Sequence, residues 1–199
     1  MKFPETTTLE SKRCRLRYIS KNDIPHIFQA AQYPGFTDGM LWEPPTSEEE
    51  LITPYENNMK AWNEDEAYCF TIEAKDSAEF IGRISIRKKE EKLWDLGFWT
   101  HPEQQSKGYM SEAVQAVIDF GFLELGALRI LACHALWNKQ SEKVLKRNGM
   151  TFIKHIPEGF QKNGNWVEEN LLGLSLEDWQ RNQAEQVGGH NSGGCASSA

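Results

Sequence analysis

The chain has 199 residues, of which 39% are hydrophobic and 26% charged, which suits one globular domain with a single core. Its net charge of −7 argues against a general nucleic-acid binder, whose domain is usually basic. No apolar run approaches the ~20 residues that cross a bilayer, and Met1-Lys2-Phe3-Pro4-Glu5 lacks the apolar stretch of a secretory signal.

A cytoplasmic protein with neither a nucleic-acid nor a membrane partner is therefore expected. The four cysteines, Cys14, Cys69, Cys133 and Cys195, are far apart and never spaced C-x-x-C, so free thiols and no metal site are expected. The charge is uneven: Glu43 to Glu66 holds eight acids and one base, the whole net imbalance.

In chain order, Arg13 to Ile19 alternates like a strand, with Cys14, Leu16 and Tyr18 between arginines. Ser20-Lys21-Asn22-Asp23 offers helix caps, and Ile24, Ile27, Phe28 and Ala31 follow at helical spacing up to Pro34-Gly35. Pro44 to Glu50 predicts a second helix start, with Ser47 capping and Glu50 reciprocating, and Leu51, Tyr55, Met59 and Trp62 forming the apolar face. Tyr68 to Ala74, Phe80 to Arg87 and Lys92 to Thr100 read as a strand meander. The period then switches to helical from Tyr109 to Leu125, closed by Gly126. Leu128 to Leu136 is an apolar strand, and Ser141 to Asn148 a short helix. Met150 to Ile156 and Trp166 to Leu174 form a hairpin about Asn163-Gly164. The order β-α-α-β-β-β-α-β-α-β-β fits a mixed α+β (α/β) sheet with a central helix crossover. Residues 1–8 read as an extension, 9–182 as one domain, and 183–199 as a flexible Gly/Ser-rich tail.

The chemically informative segment joins Leu96-Gly97-Phe98-Trp99-Thr100 through His101-Pro102-Glu103 to Gln105-Ser106-Lys107-Gly108-Tyr109-Met110. A strand, a Gly-containing loop and a helix N-terminus together make an anion site, because successive N–H groups converge and the helix dipole adds positive potential. It is neither a P-loop nor a dinucleotide fingerprint, since both glycine spacings are absent.

Further on come Asn138-Lys139-Gln140-Ser141 and Leu145-Lys146-Arg147-Asn148-Gly149-Met150. With Leu16-Arg17, Leu41-Trp42-Glu43-Pro44-Pro45, Phe80-Ile81-Gly82-Arg83, Asp95-Leu96-Gly97 and Asn163-Gly164-Asn165-Trp166, this ordered set resembles the GNAT superfamily of acyl-CoA-dependent N-acyltransferases from Leu9 to Trp179. More narrowly it resembles the RimJ/RimL branch, the ribosomal-protein N-terminal acetyltransferases.

The resemblance implies a GNAT fold, a mostly antiparallel sheet whose middle strands splay. It implies direct acetyl transfer from acetyl-CoA to a primary amine, with no metal and with a homodimer allowed. Backbone amides of Gln105, Ser106, Lys107, Gly108, Tyr109 and Met110 would hold the CoA pyrophosphate, although Ser106 and Met110 stand where the family often has glycine or alanine. Pantetheine would lie against Phe98, Trp99 and Thr100 and be held by Asn138. Ser141 would protonate the leaving thiolate or merely cap its helix. Asp95 is the candidate base, through water, and the backbone near Phe98 would meet the oxyanion. Glu112 reads as a dipole or capping group, His101 as a turn residue, and Cys133 and His134 as structural. His155, Glu168 and Glu169 are placed to face an acceptor.

The acceptor stays open between a protein N-terminus and a small amine such as an amino acid, polyamine or aminoglycoside. A non-catalytic acyl-CoA-binding module is the alternative of a different class. The acids of Glu43 to Glu66 would border the acceptor side and attract a cationic amine, or simply form a solvated helix face.

Overall fold

One eight-stranded sheet organises the protein, in the order β1-β2-β3-β4-β5-β6-β8-β7. The computed structural model describes residues 2–188. The strands are β1 Thr8–Glu10, β2 Cys14–Tyr18, β3 Ala67–Ala74, β4 Phe80–Glu90, β5 Leu93–Thr100, β6 Arg129–Ala135, β7 Thr151–Lys162 and β8 Asn165–Ser175. Among the described residues, five α-helices accompany them: α1 Ile24–Ala31, α2 Ile52–Asn63, α3 Tyr109–Leu123, α4 Lys139–Arg147 and α5 Leu176–Gly188. Every neighbouring pair is antiparallel except β5 and β6, which α3 connects as a parallel crossover.

Strand alternation puts the core on one face. Leu16, Phe70, Ile72, Ile84, Ile86, Trp94, Leu96, Ile130 and Ala132 pack there against Val114, Val117, Ile118 and Phe122 of α3 and Leu145 of α4. Gly121 lets α3 seat closely, since a Cβ there would stand 2.7 Å from Ile130 Cδ1 and 2.9 Å from Ile86 Cδ1.

Local chemistry explains several boundaries. Ser20 caps the 3₁₀ turn Lys21–Asp23 in a capping box with Asp23. Asp23 is 3% exposed at its side chain and accepts from Arg17, Thr71 Oγ1 and Ser20 N. Burial pushes its carboxyl up, but the bonds from Arg17, Thr71 and Ser20 prevail and hold it below the ordinary range. Asn163 and Gly164, at φ 51° and 77°, turn the β7–β8 hairpin as expected.

Several expectations are corrected. Ser47 makes no side-chain cap bond. A 3₁₀ turn over Glu48–Leu51 precedes α2, and Thr46 takes the reciprocal part instead, its N–H and Oγ1 both donating to Glu50. The sequence reading lacks two elements, β1 and α5. Residues 2–8 are anchored: Phe3 stacks edge-on to Tyr68 and Phe120, and its carbonyl accepts from Trp62 Nε1 at 2.8 Å. Helix α5 runs through positions 183–188, assigned above to a tail, and the remainder of that tail with Cys195 lies outside the described residues. Cys14, Cys69 and Cys133 are free thiols. Among the described residues, no helix is long and apolar enough to cross a membrane, and no group of three potential ligands stands ready for a metal ion.

Candidate active site

The parallel pairing of β5 with β6 stops early. It links Leu93 to Arg129, Trp94 to Ile130 and Asp95 to Leu131, and goes no further. Yet β5 stays paired with β4 out to Thr100, and β6 with β8 out to Ala135. The two strands therefore part beyond Asp95 and Leu131, opening a wedge in the middle of the sheet. Backbone polar groups on the inner edge of residues 96–100 lack a ladder partner, and a free strand edge can accept an extended amide chain as an added strand. Phe98, Trp99 and Thr100 line this edge.

Beside the wedge, the turn into α3 forms a cleft of about 460 Å³ lined by Arg13, Ser106, Lys107, Gly108, Ser111, Glu112, Gln115, Arg147 and Asn148. Gly108 takes φ 85° and Ser106 φ 63°, the left-handed conformations that turn successive N–H groups toward one point. Ser106 adopts the conformation without a glycine. The Met110 side chain is buried in the core, so it takes no space in the cleft. Gln105 Nε2 donates to Thr100 O at 3.5 Å, tying the turn to the end of β5. Lys107 Nζ donates to Gln104 Oε1 at 2.8 Å.

Two cations of this cleft, Arg13 and Arg147, were not picked out from the sequence. Arg13 stacks 4.6 Å from the Tyr109 ring, and its Nη2 donates to Lys107 O at 3.0 Å. Glu112 holds it there, accepting from Arg13 Nε at 2.6 Å, Arg13 N at 2.9 Å and Ser11 Oγ at 3.1 Å. Burial disfavours the Glu112 charge, but the bonds from Arg13 and Ser11 outweigh it and depress the carboxyl. Glu112 is thus the anchor joining the β1–β2 turn to α3 rather than a cap.

Helix α4 opens at the mouth of the wedge. Its N-cap is Asn138, whose Oδ1 accepts from Ser141 N at 3.0 Å. The capping alternative for Ser141 is therefore corrected: Ser141 sits at the third helical position and is the capped residue. Among the described residues its hydroxyl has no side-chain hydrogen bond. Asn138 keeps its Nδ2 donors, 3.8 Å from where a Gly39 Cβ would stand.

Asp95 points to the other face of the sheet, because it alternates with Trp94 and Leu96 of the core. It is 22% exposed and 3.9 Å from Arg87 Nη1. Burial raises its carboxyl, opposed by Lys89 and Arg87. The register puts Leu131, Cys133 and Leu171 on this face, and Glu169, paired beside Ala135, joins them. Glu169 is raised by burial and by Asp95. Desolvation, then Glu169 and Asp95, push the Cys133 thiol up to about 11, so it is no thiolate nucleophile at neutral pH. His155 is instead paired with Glu168 at 2.8 Å on the exposed hairpin.

The α1–α2 loop arches over this face. Phe36 meets Trp99 edge-on at 5.3 Å, and Lys162 Nζ, from the hairpin, donates to Trp42 O at 2.8 Å and pairs with Glu43 at 3.0 Å. Other acids of the 43–66 stretch are tied locally: Glu50 to Thr46, Glu64 to Lys60, and Glu66 to Lys88. Among the described residues, Asp95 and Glu169 lie on this face of β5 and β8, to either side of the parting strands. His101 is buried in its turn, Nδ1 accepting from Glu103 N.

Comparison with known proteins agrees with this architecture. Residues 13–151 match the family described as acetyltransferase (GNAT) domain. The uncharacterized N-acetyltransferase YnaD of Bacillus subtilis (strain 168) is 34% identical over 120 residues, 58% of this chain and 68% of that protein. The ribosomal-protein-serine acetyltransferase of Escherichia coli (strain K12) is 31% identical over 134 residues, 65% of this chain and 70% of that protein. RimL, the ribosomal L7/L12 alpha-N-protein acetyltransferase solved with coenzyme A, superposes with a TM-score of 0.78 at 21% identity, over 86% of this chain and 99% of that one. A matched domain over most of the chain, N-acetyltransferase relatives and the split parallel pair agree: the chain belongs to the GNAT family of N-acetyltransferases.

Proposed function

We propose that the protein transfers the acetyl group of acetyl-CoA to a protein N-terminal α-amine. The observation that carries this reading is the adjacency of the split β5–β6 pair to the arginine-lined turn before α3. The cleft suits a diphosphate through the N–H groups of Ser106 to Gly108 and the guanidiniums of Arg13 and Arg147. The free edge of β5 suits the amide-bearing pantetheine arm, with Asn138 Nδ2 as a further donor. In this reading the thioester lies between Asp95 on one face of the sheet and Ser141 on the other.

An amine attacks only when neutral, and a protein α-amine titrates at roughly 7.7–8.0. Asp95, its basicity raised by burial, takes the ammonium proton through water. An N–H of residues 97–99 meets the developing oxyanion; as the C–S bond breaks, the hydroxyl of Ser141 gives its proton to the departing thiolate and is restored by the second proton of the amine nitrogen, so that CoA leaves as the thiol and the amide is neutral. Two raised carboxyls, Asp95 and Glu169, favour a cationic acceptor. The E. coli relative, named a ribosomal-protein-serine acetyltransferase, supports a protein acceptor.

The test is thiol release from acetyl-CoA against a panel of N-terminal peptides, amino acids, polyamines and aminoglycosides, with mass spectrometry locating the acetyl group. Acetylation of a peptide α-amine is expected. Preference for a small amine would overturn the acceptor. No release above background, while CoA still raises the melting temperature, would overturn acetyl transfer.

A further inference from the structure

Three buried side-chain polar atoms lack a hydrogen-bond partner among the described residues: Tyr18 Oη, Arg83 Nε and His134 Nε2. His134 is 4% exposed. Its Nδ1 lies 2.9 Å from Ala135 O. A carbonyl oxygen only accepts, so Nδ1 carries the proton, and Nε2 of the neutral ring is a bare acceptor. A buried acceptor left unpaired is costly, and buried polar atoms are nearly always paired.

The register says where this atom stands. Trp94 pairs with Ile130 on the core side of the sheet, and the same row continues as Leu96 and Phe98 on β5 and as Ala132 and His134 on β6. His134 is thus level with Phe98, beyond the last β5–β6 pair, where the strands have parted. Asn138 and Ser141 follow a few residues on.

We infer that His134 Nε2 is a binding group of the wedge, accepting a hydrogen bond from an amide N–H of the pantetheine arm. The inference rests on the acetyl-CoA reading above and adds to it a residue that otherwise looks like plain core. The free edge of β5 offers both N–H donors and C=O acceptors to such an arm, and an amide N–H that turns out of the sheet plane toward the core face needs a further acceptor. His134 supplies one, at the expense of an unpaired atom in the ligand-free protein.

The test compares wild type, His134→Leu and His134→Gln by calorimetric binding of CoA and of adenosine 3′,5′-bisphosphate, which lacks pantetheine, together with ligand-free melting temperatures. One neutral hydrogen bond corresponds to about a two- to tenfold change in Kd. His134→Leu is expected to weaken CoA by that factor, leave the bisphosphate unchanged and melt no lower than wild type. His134→Gln, which restores an acceptor, is expected to recover most of the CoA affinity. Unchanged CoA affinity in His134→Leu overturns the inference, as does equal weakening of both ligands, which marks a structural role. If His134→Leu does not fold, CoA affinity in His134→Gln as weak as ~10-fold or more below wild type overturns it. Failure of the wild type to bind CoA overturns the acetyl-CoA reading and this inference with it.

Discussion

Replacing Gly108 with alanine separates the backbone of the anion turn from its arginine. Gly108 has φ +85°, and an added Cβ stands 3.1 Å from Arg13 Nη2. A left-handed conformation costs a non-glycine residue about 1–2 kcal/mol. In a domain of this size that lowers Tm by roughly 2–8 °C. The contact itself costs little stability, because a guanidinium is the far end of a flexible side chain. To regain ordinary carbon contact of about 3.5 Å it must move by a few tenths of an ångström, which disturbs the 3.0 Å bond to Lys107 O and misaligns the donors that Arg13 offers to the cleft. Gly126→Ala is the matched control: φ is +68° there, and no atom lies within 4 Å of the added Cβ. Both variants are expected to lose similar Tm in differential scanning fluorimetry. Only Gly108→Ala is expected to raise KM for acetyl-CoA, by about two- to fivefold and less than Arg13→Ala does. Equal KM in the two glycine variants would refute the role given to Arg13, and an unchanged Tm would refute the backbone argument.

Ser141→Ala is expected to lower kcat by about 10²-fold or more while leaving acetyl-CoA affinity and Tm near wild type. Asn138→Ala, which removes the cap of α4, is expected to cost about 1 kcal/mol in denaturant unfolding. The acid limb of the kcat/KM profile is expected above the ordinary aspartate value of about 3.9, because burial raises Asp95 and the base must be ionised; Asp95→Asn is expected to abolish that limb. Asp23→Ala takes the acceptor from buried Thr71 Oγ1 and one of two carboxylates from the partly buried Arg17, which keeps Glu73, and is expected to cost about 1–3 kcal/mol. Since the folded carboxyl of Asp23 is depressed, its contribution is full above the unfolded value near 3.9 and falls as pH drops through the folded one; the deficit of the variant, measured by denaturant melts, is expected to shrink only below about pH 4.

Local patterns made much of this fold legible. The alternation of Phe80 to Arg87, the change of period at Tyr109 and the Asn163-Gly164 turn each act within a few residues. Ser175 was as legible and was passed over: its Oγ accepts from Asp178 N at 3.1 Å and donates to the Asp178 carboxylate, a capping pair that starts α5. Strand β1 has three residues and exists only because β2 offers an edge. The site divides similarly. Gly108 and Ser141 stand in motifs, whereas Arg13 reaches Lys107 across 94 positions of sequence, and no window contains both. The parting of β5 from β6 has no signature in Leu96 to Thr100, where family resemblance supplied the expectation. His134 is invisible in sequence because a missing partner is a property of the packed protein.

Hydrogen exchange of β5 with and without acetyl-CoA tests the central claim, that the split strands form the cofactor site. Residues 93–95 already pair with β6 and are expected to exchange slowly in both states. The amides of residues 96–100 that face the wedge are expected to exchange fast alone and to slow on binding. Saturating acetyl-CoA that leaves exchange over 96–100 unchanged would contradict the account.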